Sequence, residues 1–108
     1  MGYMRHDAIV VTSFSKEYIE KAHAKAKDLE LQCSEILVTE INEYYSFLIG
    51  PDGSKEGWLE SDRGEEKRDD WTNWAQENEE DIYIDWIHVS YGGDDPQQAH
   101  LINYNRGE

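Results

Sequence analysis

The sequence predicts one α+β domain in which two helices cover one face of an antiparallel sheet. Short β-branched or aromatic runs and two helical patterns follow each other in the order β-α-β-β-(β)-α-β-β. The 108 residues suffice for one domain, and four Trp and seven Tyr supply much of the apolar volume of its core. A β-α-β-β-α-β core is ferredoxin-like, here with an extra C-terminal strand. We expect residues 4–105 to form the domain, with residues 1–3 and 106–108 as flexible ends.

The chain begins with a strand followed by an amphipathic helix. His6–Ser13 is a β-branched run bounded by polar residues, which predicts a buried strand. Ser13 or Ser15 can cap the helix that follows. Its apolar residues recur every three or four positions, at Ile19, Ala22, Ala26 and Leu29. His23 lies beside this stripe and is expected to be a boundary residue, not a ligand.

A hairpin and a glycine-containing turn come next. Residues 35–41 and 44–50 are strand-like and are joined by a candidate tight turn at 42–43. The sequence G-P-D-G-S at 50–54 is a strong turn signal, because proline fixes φ and glycine tolerates a positive φ. Residues 55–59 are a candidate short strand.

The C-terminal half predicts a second helix and two further strands. Ser61 or Asp62 can cap a helix that ends near Glu77, although Gly64 weakens its first turn. Its apolar face consists of Trp71, Trp74 and Ala75. After an acidic loop at 78–81, residues 82–91 alternate, with Ile87, Val89 and Tyr91 on one phase and Trp86 and His88 on the other. A turn at 92–98 leads to a final strand at 99–105 with His100, Ile102 and Tyr104 on one face.

Charge is the most informative property of the composition. The chain has 24 acidic and 10 basic residues and a net charge of −14. Residues 1–50 hold eight acids and five bases, whereas residues 51–108 hold sixteen acids and five bases. Such a field repels phosphate backbones and attracts basic protein surfaces. We therefore expect no direct nucleic-acid binding.

The composition favours a cytoplasmic protein without a membrane span. The apolar runs are far shorter than the about 20 residues of a spanning helix. The first residues lead straight into a predicted strand, so we expect no signal peptide. A single cysteine, Cys33, excludes an internal disulfide and fits a reducing compartment. No motif surrounds it, so it is expected to be a half-buried apolar residue.

One segment carries a resemblance to known proteins. Residues 51–64 read P-D-G-S-K-E-G-W-L-E-S-D-R-G, between the strand at His6–Ser13 and the stretch D-W-I-H-V-S-Y-G-G-D at 85–94. In this order the three stretches resemble a set of small proteins of tailed bacteriophages. Residues 78–84 depart from that pattern because they are more acidic. The resemblance implies a phage or prophage origin and a cytoplasmic accessory role, and it brings no activity with it.

The same P-D-G-S-K-E-G-W segment is a candidate ligand loop. Its glycines let backbone N–H groups approach an anion, its lysine supplies a cation, and its tryptophan offers a stacking face. The residues concerned are Asp52, Gly53, Ser54, Lys55, Gly57 and Trp58. The alternative, which the sequence favours, is a structural turn whose tryptophan packs in the core.

Catalysis, a cofactor and a metal site are not expected. The four histidines, His6, His23, His88 and His100, are scattered, and the sequence contains no H-x-x-x-H, EF-hand, P-loop or G-x-S-x-G pattern. Carboxylate pairs are so frequent in this composition that they indicate solvated faces and not acid–base pairs.

The acidic second half contains the favoured binding site. The candidate partner-binding residues are Asp69, Asp70, Trp74, Glu77, Glu79, Glu80, Asp81 and Asp85. The seven acids among them surround Trp71, Trp74, Tyr83 and Trp86 in the sequence. Aromatic anchors beside charge of one sign suit an electrostatically steered protein interface. The alternative is that the tryptophans are core and the acids only keep the chain soluble.

We therefore expect a non-enzymatic phage-type protein that inhibits a host defence or nucleic-acid-handling protein. It would bind a basic host surface as a partial nucleic-acid mimic. Two alternatives stay open: a module that binds or sequesters a nucleotide or other small ligand at residues 52–58, and a phage protein without an inhibitory role. An open sheet also leaves edge strands through which a homodimer could pair.

Overall fold

A computed structural model describes residues 5–54, 58–93 and 99–105 of the chain. The elements are β1 (His6–Ser13), α1 (Lys16–Asp28), β2 (Leu37–Val38), β3 (Tyr45–Ile49), α2 (Leu59–Glu77), β4 (Asp85–Tyr91) and β5 (His100–Tyr104). The five strands form one sheet in the order β2-β3-β1-β4-β5, and every neighbouring pair is antiparallel. The prediction of an α+β fold with two helices and an antiparallel sheet is confirmed.

Both helices pack on the same face of the sheet. Ile9 and Val11 of the central strand β1 are fully buried there, opposite Ile49 and Phe47 of β3. The core contains Ile9, Val11, Ile19, Ala22, Ala26, Phe47, Ile49, Trp71, Ala75, Ile82, Ile84 and Trp86. The apolar stripes predicted for the helices are therefore the surfaces that meet the sheet. No helix within the described ranges is long and apolar enough to cross a membrane.

The N-terminal strand and helix have the predicted positions. β1 spans the predicted residues, and Ser15 caps α1 because its hydroxyl accepts a hydrogen bond from Tyr18 N at 3.3 Å. Ser13 has a different role, since its hydroxyl donates to the Tyr83 carbonyl at 2.7 Å. This contact ties the end of β1 to the segment that leads into β4.

The hairpin is shorter than predicted on its first side. Of residues 35–41, only Leu37 and Val38 form strand β2. Thr39 explains the early end, because its hydroxyl donates to the Ile41 carbonyl at 2.7 Å and accepts from Tyr44 N at 2.8 Å. The Thr39 N–H donates to the Tyr44 carbonyl at 2.8 Å, so the turn consists of residues 40–43 and is wider than the two residues predicted.

The second helix begins earlier than predicted. Its N-cap is Trp58, whose carbonyl accepts hydrogen bonds from the backbone N–H groups of Ser61 and Asp62, so neither of these is the cap. Of the candidate strand at 55–59, residues 55–57 lie outside the described residues, and Leu59 is helical. Gly64 is buried within α2, where a Cβ would collide with the Asp52 carboxylate. A glycine in this helix therefore lets the preceding loop pack against it.

The last two strands differ from the prediction in register. β4 begins at Asp85, while Ile82 and Ile84 before it are buried in the core. A register shift in the pairing of β4 with β5 lets Leu101 face Val89 and Tyr104 face Ile87. The predicted grouping of His100, Ile102 and Tyr104 on one face is therefore wrong. Of the predicted turn at 92–98, residues 94–98 lie outside the described residues, as do the predicted flexible ends.

Candidate functional site

The predicted acidic residues are all exposed, but they do not form one continuous patch. We call these seven carboxylates the acidic surface: Asp69, Asp70, Glu77, Glu79, Glu80, Asp81 and Asp85. Asp70 and Glu77 are two helical turns apart on α2, on the side that carries Trp74. Asp69 lies on another flank of α2 and lines a small cavity with Arg68 and His88. The acidic surface therefore centres on the end of α2 and the turn that follows it.

The position of these charges is unfavourable for the helix. The C-terminal end of an α-helix carries a partial negative charge, which basic side chains normally offset. The last turn of α2 contains no basic residue, and Glu77, Glu79, Glu80 and Asp81 all lie at this end. The Asn78 side chain satisfies one carbonyl, donating to Trp74 O at 2.8 Å, but it brings no positive charge. These four carboxylates therefore reduce the stability of this helix end.

Two of the predicted aromatic anchors are core residues. Trp71 is completely buried and donates its indole N–H to the Ala22 carbonyl at 3.1 Å, and Trp86 is 3% exposed. Their rings meet edge to face, with centroids 6.0 Å apart. Trp74 is half-buried in a shallow groove whose other wall includes Lys21 and Lys25 of α1. Asp28 of α1 lines the same groove, so the accessible part of Trp74 faces side chains of both charges.

A different pair of aromatic side chains lies beside the acidic turn. Tyr83, between Asp81 and Asp85, is 46% exposed, and Phe14 is 54% exposed. Their ring centroids are 5.5 Å apart, and Tyr18 packs edge-on against Phe14 at 6.2 Å. Phe14 was not among the residues predicted for the site. The sequence does indicate that Phe14 is exposed, because Phe14 lies outside the apolar periodicity of both β1 and α1.

The described part of the P-D-G-S loop is a turn held by its own aspartate. Asp52 Oδ1 accepts hydrogen bonds from Ser54 N at 2.9 Å and Ser54 Oγ at 2.6 Å, and Gly53 has a φ of +83°. Trp58 is 47% exposed, so it does not pack in the core as the structural alternative required. Lys55 and Gly57, the other predicted members of the site, lie outside the described residues.

This turn borders a cavity of about 270 Å³ against α2. Three basic residues of the helix line it: Arg63, Lys67 and Arg68. Three carboxylates line it as well: Glu30, Asp52 and Glu60. The cavity is thus polar and close to electrically neutral, which suits a ligand that carries both donors and acceptors.

A buried ionic cluster links the loop, α2 and the sheet. Arg68 is 5% exposed, and its guanidinium lies 3.6 Å from Asp7 Oδ2 and 3.9 Å from Asp52 Oδ2. The His88 Nε2 atom is 3.4 Å from Asp7 Oδ1, which is long for a hydrogen bond. Ser90, next to the cluster, accepts a hydrogen bond from Arg5. We call Asp7, Asp52, Arg68 and His88 the buried cluster, of which Asp52 is the exposed member.

Asp7 ionises more readily in the folded protein than in a free chain. Burial alone would raise its pKa, but the His88 ring and the Arg68 charge outweigh burial, and the pKa of Asp7 lies below its ordinary value of 3.8. Asp7 is therefore a carboxylate at neutral pH and balances the buried guanidinium. This cluster was not predicted from the sequence, since its members come from four separate segments.

His23 and Cys33 lie next to each other, and their contacts are with neighbouring parts of the fold. As predicted, His23 is a boundary residue: its ring packs edge-on against Phe47 at 4.9 Å and its Nε2 lies 2.8 Å from the Ser34 carbonyl. Cys33 Sγ is 3.8 Å from the same Nε2, and burial raises the pKa of the thiol. Within the described residues, no group of three or more His, Cys, Asp or Glu side chains could hold a metal ion.

The comparisons with known proteins add no family to this description. No protein-family model matches the chain, and no curated protein sequence matches it.

Proposed function

We propose that the chain is a phage-type accessory protein of the host cytoplasm that acts by binding. Its acidic surface would bind a basic surface of a host defence or nucleic-acid-handling protein and inhibit it, partly by occupying the place of nucleic acid. Opposite charge would steer the two proteins together and increase the rate of association. No catalytic step is part of this proposal.

The observation that carries the proposal is the set of carboxylates at the C-terminal end of α2. Glu77, Glu79, Glu80 and Asp81 repel one another and the helix carbonyls, and no basic residue of the last turn offsets them. A basic partner would relieve this repulsion on binding. The exposed rings of Tyr83 and Phe14 lie beside the same turn and supply apolar contact area for an interface.

The test is retention of proteins from a bacterial extract on the immobilised chain. We expect nucleic-acid-binding proteins to be retained at low salt, and to be released by high salt and by added duplex DNA. The variant E79K/E80K/D81K should lose this binding. The control E35K/E40K/E43K makes the same change in net charge at exposed acids near the hairpin, and it should still bind.

Two outcomes would contradict the proposal. One is normal binding by E79K/E80K/D81K. The other is equal loss in the hairpin control, because net charge alone would then explain the retention. Release by salt but not by DNA would contradict the nucleic-acid mimicry while leaving a basic partner in place.

A second function is favoured by the cavity beside the P-D-G-S turn. A nucleotide or another phosphate-bearing ligand could contact Arg63 and Lys67 there and stack on the exposed Trp58. Thermal-shift screening should then find a stabilising nucleotide whose effect is lost in Lys67→Ala and in Lys55→Ala. Absence of any stabilisation across the common nucleotides would exclude this function.

We propose that β1, α1, β2, β3, α2 and β4 form a ferredoxin-like core and that β5 is an edge strand added to it. The order β2-β3-β1-β4, with all pairs antiparallel and both helices on one face, supports this assignment.

A further inference from the structure

The outer face of the sheet, which neither helix covers, is apolar. Directly paired residues of neighbouring strands lie on the same face. The pairs Val10–Leu48, Val10–Ile87 and Ile87–Tyr104 therefore form one row across four strands. These four side chains are 39–46% exposed. We call the apolar residues of this face the open face: Val10, Leu37, Leu48, Ile87, Val89, Tyr91, Leu101 and Tyr104.

The open face is almost free of charge. Among the described strand positions on this side, Asp85 is the only acidic residue, although the chain has 24 acids. The Thr12 and Ser46 hydroxyls hydrogen-bond to each other at 2.8 Å and so satisfy one another within the face. An antiparallel sheet with one solvated side normally has polar residues there. An apolar outer face of this extent marks an interaction surface.

We propose that two copies of this chain pair through their open faces. The contact would be isologous, with the same residues on both sides, as in a two-fold dimer. Two twisted sheets packed face to face lie about 10 Å apart, with their strands about 30° from parallel. The pair would be a four-layered body with helices outside and two sheets inside.

The exposed area fits a dimer. Seven of the eight side chains are 38–66% exposed, and Val89 is the exception. Together they present roughly 500 Å² of mostly apolar surface. A stable interface buries about 800 Å² per partner, of which about 60% is apolar, so the apolar area of the open face is about what a dimer needs. The segments within the chain outside the described residues are at most five residues long. A five-stranded face is about 20 Å wide, so no one of them can cover it.

A second copy suits this face better than a basic partner does. Among the described strand positions, a partner selected by charge would find only Asp85 as a carboxylate on the open face, whereas the other six carboxylates of the acidic surface lie on α2 or in the turn that follows it. Two copies of net charge −14 repel each other, and salt screens this repulsion. Salt should therefore tighten the dimer, whereas it should weaken binding through the acidic surface. This proposal is thus independent of the proposed function.

The experiment is sedimentation velocity on the purified chain over a wide range of concentration, at low and high salt. We expect a monomer–dimer equilibrium whose dissociation constant falls as salt is added. The variant L48K/I87K should raise the dissociation constant about tenfold or more, because it would bury charge in the interface. It should do so although it lowers the net negative charge. The fold-conserving variant L48T/I87T should also weaken the dimer, since threonine keeps strand propensity and removes apolar area.

The matched control places the same two lysines on exposed apolar residues that are not strand residues of the open face. Ile41 and Leu59 are 76% and 60% exposed, and I41K/L59K should leave the dissociation constant unchanged. A wild-type chain that stays monomeric at every concentration would overturn the proposal. So would a dimer that persists in both open-face variants, which would point to pairing through a sheet edge, and so would a dimer that salt weakens.

Discussion

The chain holds its charges in two contrasting environments. In the buried cluster, Arg68 is almost inaccessible and lies between the carboxylates of Asp7 and Asp52. On the acidic surface, carboxylates are exposed and gather at the end of a helix without a basic residue in its last turn. The first arrangement supports the fold, because each buried charge has an opposite partner. The second costs the fold stability, and it is the observation on which the proposed binding role rests.

The largest effect should come from removing the buried cation. Arg68→Ala leaves Asp7 and Asp52 without their shared partner, and we expect a loss of about 3–5 kcal/mol of unfolding free energy. Urea denaturation followed by circular dichroism measures this change. The neighbouring substitution Lys67→Ala is the control and should cost less than about 1 kcal/mol. Equal costs for the two variants would show that the cluster does not stabilise the fold.

A smaller effect should follow from removing one of the two carboxylates. Asp7→Asn keeps the shape of the side chain and leaves Asp52 near Arg68, so we expect a loss of about 2 kcal/mol at neutral pH. The same urea denaturation measures it. Asp52→Asn should cost less, because Asp52 is more exposed and its contact with Arg68 is longer. The reverse order would contradict the assignment of Asp7 as the main partner.

The contribution of Asp7 should depend on pH with a definite sign. Because the pKa of Asp7 is lowered in the folded state, the carboxylate stabilises the protein fully above the ordinary value of 3.8. This contribution is lost as pH falls through the lower, folded-state pKa. The stability difference between the wild type and Asp7→Asn should therefore shrink below about pH 4. A difference independent of pH would show that Asp7 acts through packing and not through its charge.

The smallest effect, of opposite sign, should come from the acidic surface. E79K/E80K/D81K removes like-charge repulsion and complements the helix dipole, so we expect a gain of about 0.5–1 kcal/mol at low salt. The hairpin control E35K/E40K/E43K should gain less, since its residues are not at a helix end. Thermal unfolding measures both variants. If E79K/E80K/D81K is more stable than the wild type and no longer binds the partner, the acidic surface contributes to binding and lowers stability.

The sequence predicted the exposure of the acidic residues and not their grouping. A run of carboxylates without bases has to be solvated, so its exposure follows from composition. The tryptophans among them were ambiguous, because helical spacing places Trp71 and Trp74 on one side of α2 without saying how deeply each is buried. Packing decided this: Trp71 meets Ala22 and Trp86 in the core, while Trp74 is half-buried at the border with α1. The aromatic side chains beside the acidic turn are therefore Tyr83 and Phe14.

The acidic net charge, β1, the Ser15 cap and the apolar stripes of both helices were determined by the sequence itself. Each of these depends on residues within a few positions of one another, which local periodicity and capping chemistry describe directly. The early end of β2 and the start of α2 at Leu59 depend on local hydrogen bonds that periodicity does not describe, whereas the register shift between β4 and β5 required contact between separate strands. The buried cluster and the open face were decided by the tertiary structure alone. Alternation along a strand defines two faces, but only the placement of the helices decides which face is covered.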